Sequence, residues 1–336
     1  MKRFILQAGT SIAVGLLLGF FHIKKPVQAH CTGYHPHHCG LNDIRNLPDQ
    51  LPDETENGSQ SLCAALFITY TRGVLATAGS PFSNARAVRV LKNMGLFSSS
   101  EFNNVTFRWA DLKGKADGMV PAPNVVLFDY SVKNSDFNYL VSLTAHEMIH
   151  IRQLRRMGNE KFACEYSKHI LEGKRIAIEK EADNFGKYVS NIMNYSFMIA
   201  SDRNRNLYVN ALDGARHLAP IGLHQDCAKN KYNLDCRWIA YKDGRIVSAK
   251  NTSLGLNAFN GARHFAELRL YQNCSSNNPD CTWTWYNNGM LVSDKDKRFP
   301  VNAVNGARHY GKLKLHQDCR GSNPDCTWKR EYFNFN

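Results

Sequence analysis

Acidic residues are the scarce charge in this chain of 336 residues. Only 29 Asp and Glu stand against 42 Lys and Arg, a formal net charge of +13. Such an excess favours acidic surfaces, including glycans and cell surfaces. A concentrated basic tract is missing. The one dense run of the C-terminal half, Lys295 to Arg298, is interrupted by Asp296 and preceded by Asp294. No nucleic-acid-binding module accompanies it, so nucleic acid is not an expected partner. Long apolar runs are also lacking beyond the first 21 residues. Phe4 to Phe21 follows Met1-Lys2-Arg3, includes Gln7, Gly9, Thr10 and Ser11, and precedes Val27-Gln28-Ala29. That pattern reads as a secretory signal cleaved after Ala29, with an uncleaved anchor as the other reading. His30 precedes Cys31, which excludes a lipoprotein box. The expected address is secreted or periplasmic, with no stable membrane insertion after cleavage.

Cysteine, in contrast, is plentiful at ten residues, as an oxidising destination allows. Six form close pairs near the C-terminus, predicting the disulfides Cys227–Cys236, Cys274–Cys281 and Cys319–Cys326. Cys31, Cys39, Cys63 and Cys164 remain; Cys31–Cys39 and Cys63–Cys164 are one pairing among several. His30, His35, His37 and His38 surround the first two, either as a metal-binding tract or as a solvated, disulfide-tied tail. A polar, proline-bearing stretch between Leu41 and Gln60 marks a linker. The domains expected are a signal over 1–29, a tail and linker over 30–60, a first folded domain over 61–195 and a second over 196–336.

His146-Glu147-Met148-Ile149-His150 carries the first domain's chemistry. Residues four apart share a helix face, so His146 and His150 can hold one metal from adjacent turns. Glu147 sits about 100° round from His146, placed to take a proton from water activated by that metal. Ser135 or Asp136 is the predicted N-cap and Gly158 the C-cap. Asn124 to Tyr130 (NVVLFDY) reads as a strand; beside the helix it could pair with an extended peptide. A third ligand is required, because catalytic zinc takes three protein ligands. Glu179 and Asp183, four apart on a second amphipathic helix, offer a ligand and a partner for the distal nitrogen of a ligand histidine.

Here the chain resembles the gluzincin zinc peptidases, whose second motif is Glu-x-x-Ala/Ser-Asp. The stretch Leu143 to Phe162 (LTAHEMIHIRQLRRMGNEKF) is similar to bacterial metallopeptidase-like domains with a His-Glu-x-x-His-x-x-Gln core, Gln153 holding the Gln place. The resemblance covers about residues 65–195 through two short motifs. It implies zinc on His146, His150 and Glu179, Asp183 behind a ligand, Glu147 as general base, and Glu181 as an exposed neighbour. Tyr166, His169 and Tyr188 are within reach in sequence, but none is assigned to oxyanion stabilisation. The blander reading makes the histidines ordinary helix residues and Glu179 part of a charged face.

The C-terminal 140 residues repeat three times. Asp213-Gly-Ala-Arg-His217, Asn260-Gly-Ala-Arg-His264 and Asn305-Gly-Ala-Arg-His309 lie 47 and 45 residues apart. Each copy continues to a cysteine pair, and a tryptophan (Trp238, Trp283, Trp328) follows two residues later. Each opens on a short strand ending in Ser201, Ser248 or Ser293. Short strands with frequent turns predict an all-β module closed around its tryptophans, without a free edge.

This unit resembles the ricin-type β-trefoil repeat, over about residues 196–336. The resemblance implies carbohydrate binding, with departures. Asn210, Asn257 and Asn302 replace the family's sugar-binding Asp, and a cysteine replaces the Gln of its Gln-x-Trp. Asp235, Asp280 and Asp325 could supply the carboxylate, while His224, Tyr271 and His316 fall where a sugar-stacking aromatic belongs. The alternative is that Asn-Gly-Ala-Arg-His is scaffold repeated because the fold is threefold.

The fold class expected is therefore an α+β zincin-like metallopeptidase domain followed by an all-β trefoil with three disulfide-bearing repeats. The function expected is exported, zinc-dependent hydrolysis of peptide bonds in a protein or peptide substrate, with a carbohydrate-binding-like targeting module. The second reading is a non-catalytic, lectin-like adhesin or toxin-delivery protein with a vestigial peptidase domain.

Overall fold

A computed structural model describes residues 29–30, 38–39, 67, 71–76, 78–82, 85–112, 116–172 and 177–332. The proposed signal, the linker, and Cys31 and Cys63 with their suggested pairings lie outside the described residues. The chain divides into two compact units, residues 1–88 with 98–190, and 89–97 with 191–336. No helix among the described residues is long and apolar enough to cross a membrane.

A two-residue ladder joins β1 (Ala29–His30) to β2 (His38–Cys39). The first unit's main sheet contains β3 (Ala78–Pro81), β4 (Thr106–Ala110), β5 (Gly118–Ala122) and β6 (Val125–Asp129), in the order β3-β4-β6-β5. β4 and β6 are parallel, while β3 and β5 flank them antiparallel. The apolar run Val125-Val-Leu-Phe128 suits β6 to a central place, since both of its faces must be covered. Phe82, Trp109 and Phe128 pack on one another, the Phe82 ring 5.0 Å from Trp109 and 4.5 Å from Phe128. The sequence had suggested that the strand 124–130 could receive a peptide. That is corrected: β6 is paired along both sides, and among the described residues the edge strands of this sheet are β3 and β5.

Helices α1 (Ala85–Asn93) and α2 (Ser99–Phe102) precede β4. After β6 come α3 (Phe137–Met157), α4 (Asn159–Glu172) and α5 (Ala177–Tyr195). Asp136 caps α3, its side chain accepting from Asn138 N at 2.8 Å. Gly158 ends α3 at φ +81°, a left-handed conformation that a side chain would strain. From Leu140 to Ile151 every residue of α3 is buried, so its polar positions need partners within the protein.

The second unit contains four strands per repeat. They are β7 (Phe197–Ser201), β8 (Tyr208–Ala211), β9 (Ile221–His224) and β10 (Trp238–Ala240); β11 (Ile246–Ser248), β12 (Leu254–Ala258), β13 (Leu268–Gln272) and β14 (Trp283–Trp285); β15 (Leu291–Ser293), β16 (Val301–Ala303), β17 (Leu313–Leu315) and β18 (Trp328–Tyr332). The first and last strands of each repeat form a ring. β7 meets β10, β10 pairs with β11, β14 with β15, and β18 returns to β7. The bridges Arg245↔Thr282 and Met290↔Thr327 complete it. The inner hairpins β8–β9, β12–β13 and β16–β17 touch through Pro220↔Arg269, Gly222↔Lys312 and Glu267↔Lys314. This ring-and-cap topology is a β-trefoil.

Threefold sequence produces threefold chemistry. The indoles of Trp238, Trp283 and Trp328 are buried, and each donates to the corresponding carbonyl, Val209, Leu256 or Val301, at 3.1, 2.9 and 3.1 Å. An indole N–H needs such an acceptor once it leaves water. The three predicted disulfides, Cys227–Cys236, Cys274–Cys281 and Cys319–Cys326, are formed. Arg237 breaks the symmetry where the other copies have Thr282 and Thr327. It is fully buried and donates to Ser196 Oγ, Ser196 O and Lys231 O at 2.8, 2.9 and 2.8 Å.

Candidate metal centre and carbohydrate-facing residues

α3 and α5 bring His146, His150 and Glu179 together, with ligand atoms from all three within 4.8 Å of one another. His146 Nε2 lies 3.1 Å from His150 Nε2 and 3.7 Å from Glu179 Oε2, and His150 Nε2 lies 3.6 Å from Glu179 Oε1. Bonds of about 2.0–2.1 Å in a tetrahedron place neighbouring donors about 3.3 Å apart. The three observed separations bracket that edge, so the donor set fits a zinc ion. The close approach of α5 depends on Gly186: a Cβ there would stand 3.3 Å from Ser142 O and 3.4 Å from His146 Cβ.

Each histidine is oriented from behind. His146 Nδ1 faces Asp183 Oδ1 at 3.3 Å, and His150 Nδ1 lies 2.8 Å from Gln153 Oε1. Because an amide oxygen only accepts, His150 carries a proton on Nδ1 in that bond and turns Nε2 toward the cluster. Gln153 is itself fully buried, and its Nε2 donates to Ile178 O at 2.9 Å and Glu181 Oε2 at 3.0 Å. Arg156 donates to the same Glu181 oxygen at 3.1 Å. Glu181 is exposed, as expected, and it has a structural role as well. Its carboxylate ties the histidine-bearing helix to the glutamate-bearing one. The signal was legible only as spacing, Gln153 three residues beyond His150 and Glu181 two beyond Glu179.

Glu147 is buried beside the cluster, Oε1 3.9 Å from His146 Nε2. Its Oε2 has no hydrogen-bond partner among the described residues, an arrangement that needs an explanation in a native interior. Burial pushes its carboxyl up to about 8, with Glu179 and Asp117 adding to the rise and His150 opposing it. For His150, burial favours the neutral ring, but the charge and hydrogen bonding of Glu179 outweigh it, raising the imidazole to about 9. Gly118 of β5 lies directly against Glu147, where a Cβ would come within 2.5 Å of Oε1. Gly118, Met119 and Val120 share a cleft with Glu147, His150, Glu179, Phe67, Phe162 and Tyr166. Tyr166 stacks on Phe162 at 6.0 Å within this lining. Tyr188 is raised to about 12 by burial, and the side chain of His169 lies outside the described residues.

In the trefoil, the residues expected to contact sugar are largely engaged by the scaffold. Asn210, Asn257 and Asn302 are buried, and their amides donate to disulfide sulfurs of Cys236, Cys281 and Cys326 at 3.2, 3.3 and 3.1 Å. Asp235, Asp280 and Asp325 accept from the backbone N–H of Ala215, Ala262 and Ala307 at 2.9, 3.1 and 3.1 Å. His224, Tyr271 and His316 sit at the seams between repeats, facing His309, His217 and His264 at ring separations of 4.5, 4.9 and 4.5 Å. Those second histidines, together with the residues after them, had been read only as part of a repeated turn.

No protein-family model matches the chain, and no curated protein matches it. Solved structures similar to its C-terminal part include the C-half of an earthworm R-type lectin in complex with GalNAc. That match has 15% identity and TM-score 0.34, covering 41% of this chain and 98% of the lectin's. Another is the β-trefoil lectin of the Vibrio vulnificus hemolysin/cytolysin with N-acetyl-D-lactosamine bound, at 16% identity and TM-score 0.32, covering 41% and 94%. A mosquitocidal holotoxin matches at 16% identity and TM-score 0.35, over 43% of this chain and 18% of its own.

Proposed function

We propose that the first unit is a zinc-dependent hydrolase of peptide bonds, exported from the cell, and that the trefoil docks it to carbohydrate. The hydrolase reading rests on the convergence of two imidazoles and one carboxylate at tetrahedral edge lengths, with a second carboxylate beside them whose Oε2 has no hydrogen-bond partner among the described residues. A zinc ion there would supply Lewis-acid polarisation of water or of a peptide carbonyl. Glu147 takes the proton from the attacking water and returns it to the departing amine. β5 offers a strand edge beside Glu147 for an extended substrate. The ligands correspond to those of a zincin-like, gluzincin-type site.

One observation favours a different outcome. His146, Glu147, His150 and Glu179 are each no more than 4% exposed, and Phe67, Phe162 and Tyr166 line the cleft above them. A vestigial peptidase domain carried by a lectin-like adhesin or toxin-delivery protein would tolerate such closure. Metal analysis and peptide-library cleavage by wild type, His146→Ala, Glu179→Ala and Glu147→Gln separate the two. The hydrolase predicts stoichiometric zinc lost in the first two variants, and zinc retained in Glu147→Gln with turnover down about 10²-fold or more. Bound zinc with no cleavage of any peptide would establish the non-catalytic reading.

A further inference from the structure

Two of the three seams between trefoil repeats differ from the third in ways that together specify a ligand. At the seam of repeats three and one, Tyr310 is 60% exposed; at that of two and three, Phe265 is 48% exposed. Both occupy left-handed backbone, φ +60° and +61°, a conformation costly for bulky residues and enriched at functional positions. Each stands nearly perpendicular to a histidine of the neighbouring repeat. Tyr310 meets His224 at 5.0 Å and 86°, and Phe265 meets His316 at 5.3 Å and 78°. The imidazole preceding each closes the corner, His309 at 4.0 Å from Tyr310 and His264 at 3.9 Å from Phe265. In repeat one the matching residue is Leu218, also left-handed at φ +63°, so the corner lacks that ring.

The histidines hold a defined polarity. Nδ1 of His309 accepts from Gln225 N at 3.3 Å, of His224 from Asp226 N at 3.1 Å, of His264 from Gln317 N at 3.4 Å, and of His316 from Asp318 N at 3.2 Å. A neutral ring that accepts at Nδ1 bears its proton on Nε2, so each corner combines two ring donors with an exposed aromatic face. The preceding arginine differs too. Arg216 of repeat one is ion-paired to Asp213 at 3.2 Å. Asn260 and Asn305 replace that aspartate, and Arg263 instead donates to the neutral carbonyl of Asn260, at 2.6 Å. Lys312 follows Tyr310 by two residues, adding positive charge.

We infer that the corners at Phe265 and Tyr310 are binding sites for an acidic pyranose, a sugar ring bearing a carboxylate, and that the Leu218 corner is not. The ring's C–H face stacks on the aromatic side chain, hydroxyls accept from the imidazoles, and the carboxylate is drawn to Arg263 or Arg308. This inference rests on the carbohydrate-docking reading but moves the contact from the expected Asn and Asp residues to the seams.

The test uses the full chain, calorimetric titration and arrays of neutral and sialylated or uronate-bearing oligosaccharides. Phe265→Leu/Tyr310→Leu copies the residue of repeat one and should cut affinity for acidic glycans at least tenfold with unchanged melting. Arg263→Gln/Arg308→Gln, a fold-neutral second variant, should lower acidic-glycan affinity and leave neutral-sugar binding unaltered. Undiminished affinity in both variants, or a loss seen only in Asn257→Ala/Asp280→Ala, overturns the seam assignment while carbohydrate docking stands. Equal preference for neutral sugars overturns the acidic class. Wild type that binds no glycan of either kind removes the docking reading and the seams with it.

Discussion

Gln153 shows how a residue outside the donor set can govern the proposed metal site. Its side-chain oxygen accepts from His150, while its nitrogen reaches across to Ile178 O and Glu181. Leucine can neither accept nor donate, and an ionised glutamate can only accept, so neither reproduces both sets of bonds. Outer partners of a ligand histidine are worth about 10–100-fold in metal affinity. Gln153→Leu is therefore expected to weaken zinc binding by about that factor, measured by competition with a chromophoric chelator, while His217→Ala in the other unit leaves it unchanged. Gln153→Glu should fare no better, because it sets a second carboxylate against Glu181. The sequence identified the residues in this assembly by spacing but not their partners, which depend on how closely α3 and α5 approach at Gly186.

β5 illustrates why the element beside the site was misread. A continuous apolar run such as β6 announces a strand buried on both sides, which is poorly suited to receiving a peptide. The edge beside Glu147, among the described residues, belongs to Gly118-Met-Val-Pro-Ala122, whose Pro121 cannot donate to a ladder and whose pairing is irregular between Met119 and Ala122. Proline within a strand is itself an edge signal. Gly118→Ala would drive a methyl into Glu147, within 2.5 Å of its oxygen. We expect that variant to keep its zinc and lose at least tenfold in peptide hydrolysis, whereas Met119→Leu retains activity; equal turnover in Gly118→Ala would show that Glu147 is not the base. Among the trefoil elements the disulfides were legible from spacing alone. Opening Cys274–Cys281 by substitution to serine removes a short loop constraint worth about 2–3 kcal/mol and releases the Asn257 amide, a loss readable as a lower melting temperature.

At the scale of the molecule, protons would compete with the proposed metal for the first unit. Glu147 holds its proton up to about 8 instead of the ordinary 4.5, and His150 up to about 9 instead of 6.5. Both shifts are upward, so the folded state binds more protons than the unfolded chain between those limits, and stability must fall as pH rises through them. Chelator-treated protein should therefore melt at progressively lower temperature from about pH 5 to pH 9, and added zinc should reverse the trend at the alkaline end; calorimetry checks both. The two-unit organisation was legible because a repeat announces itself without any structure. The all-β character of the second unit was legible in its short strand signals and turns, while the trefoil itself was expected from the resemblance of its repeat to the ricin type. The first unit yielded its motif helices but not its sheet order, since strand neighbours are set by pairing across the chain and not by local pattern.

The ring of the trefoil is sealed by Trp328–Tyr332 lying along Phe197–Ser201. A ribosome must therefore deliver the final repeat before the opening strand finds its mate, and until then both margins of an incomplete sheet stay open to other nascent chains. Slow emergence of that closing strand would lengthen the exposure. Productive folding would then depend on something that shields the unfinished barrel.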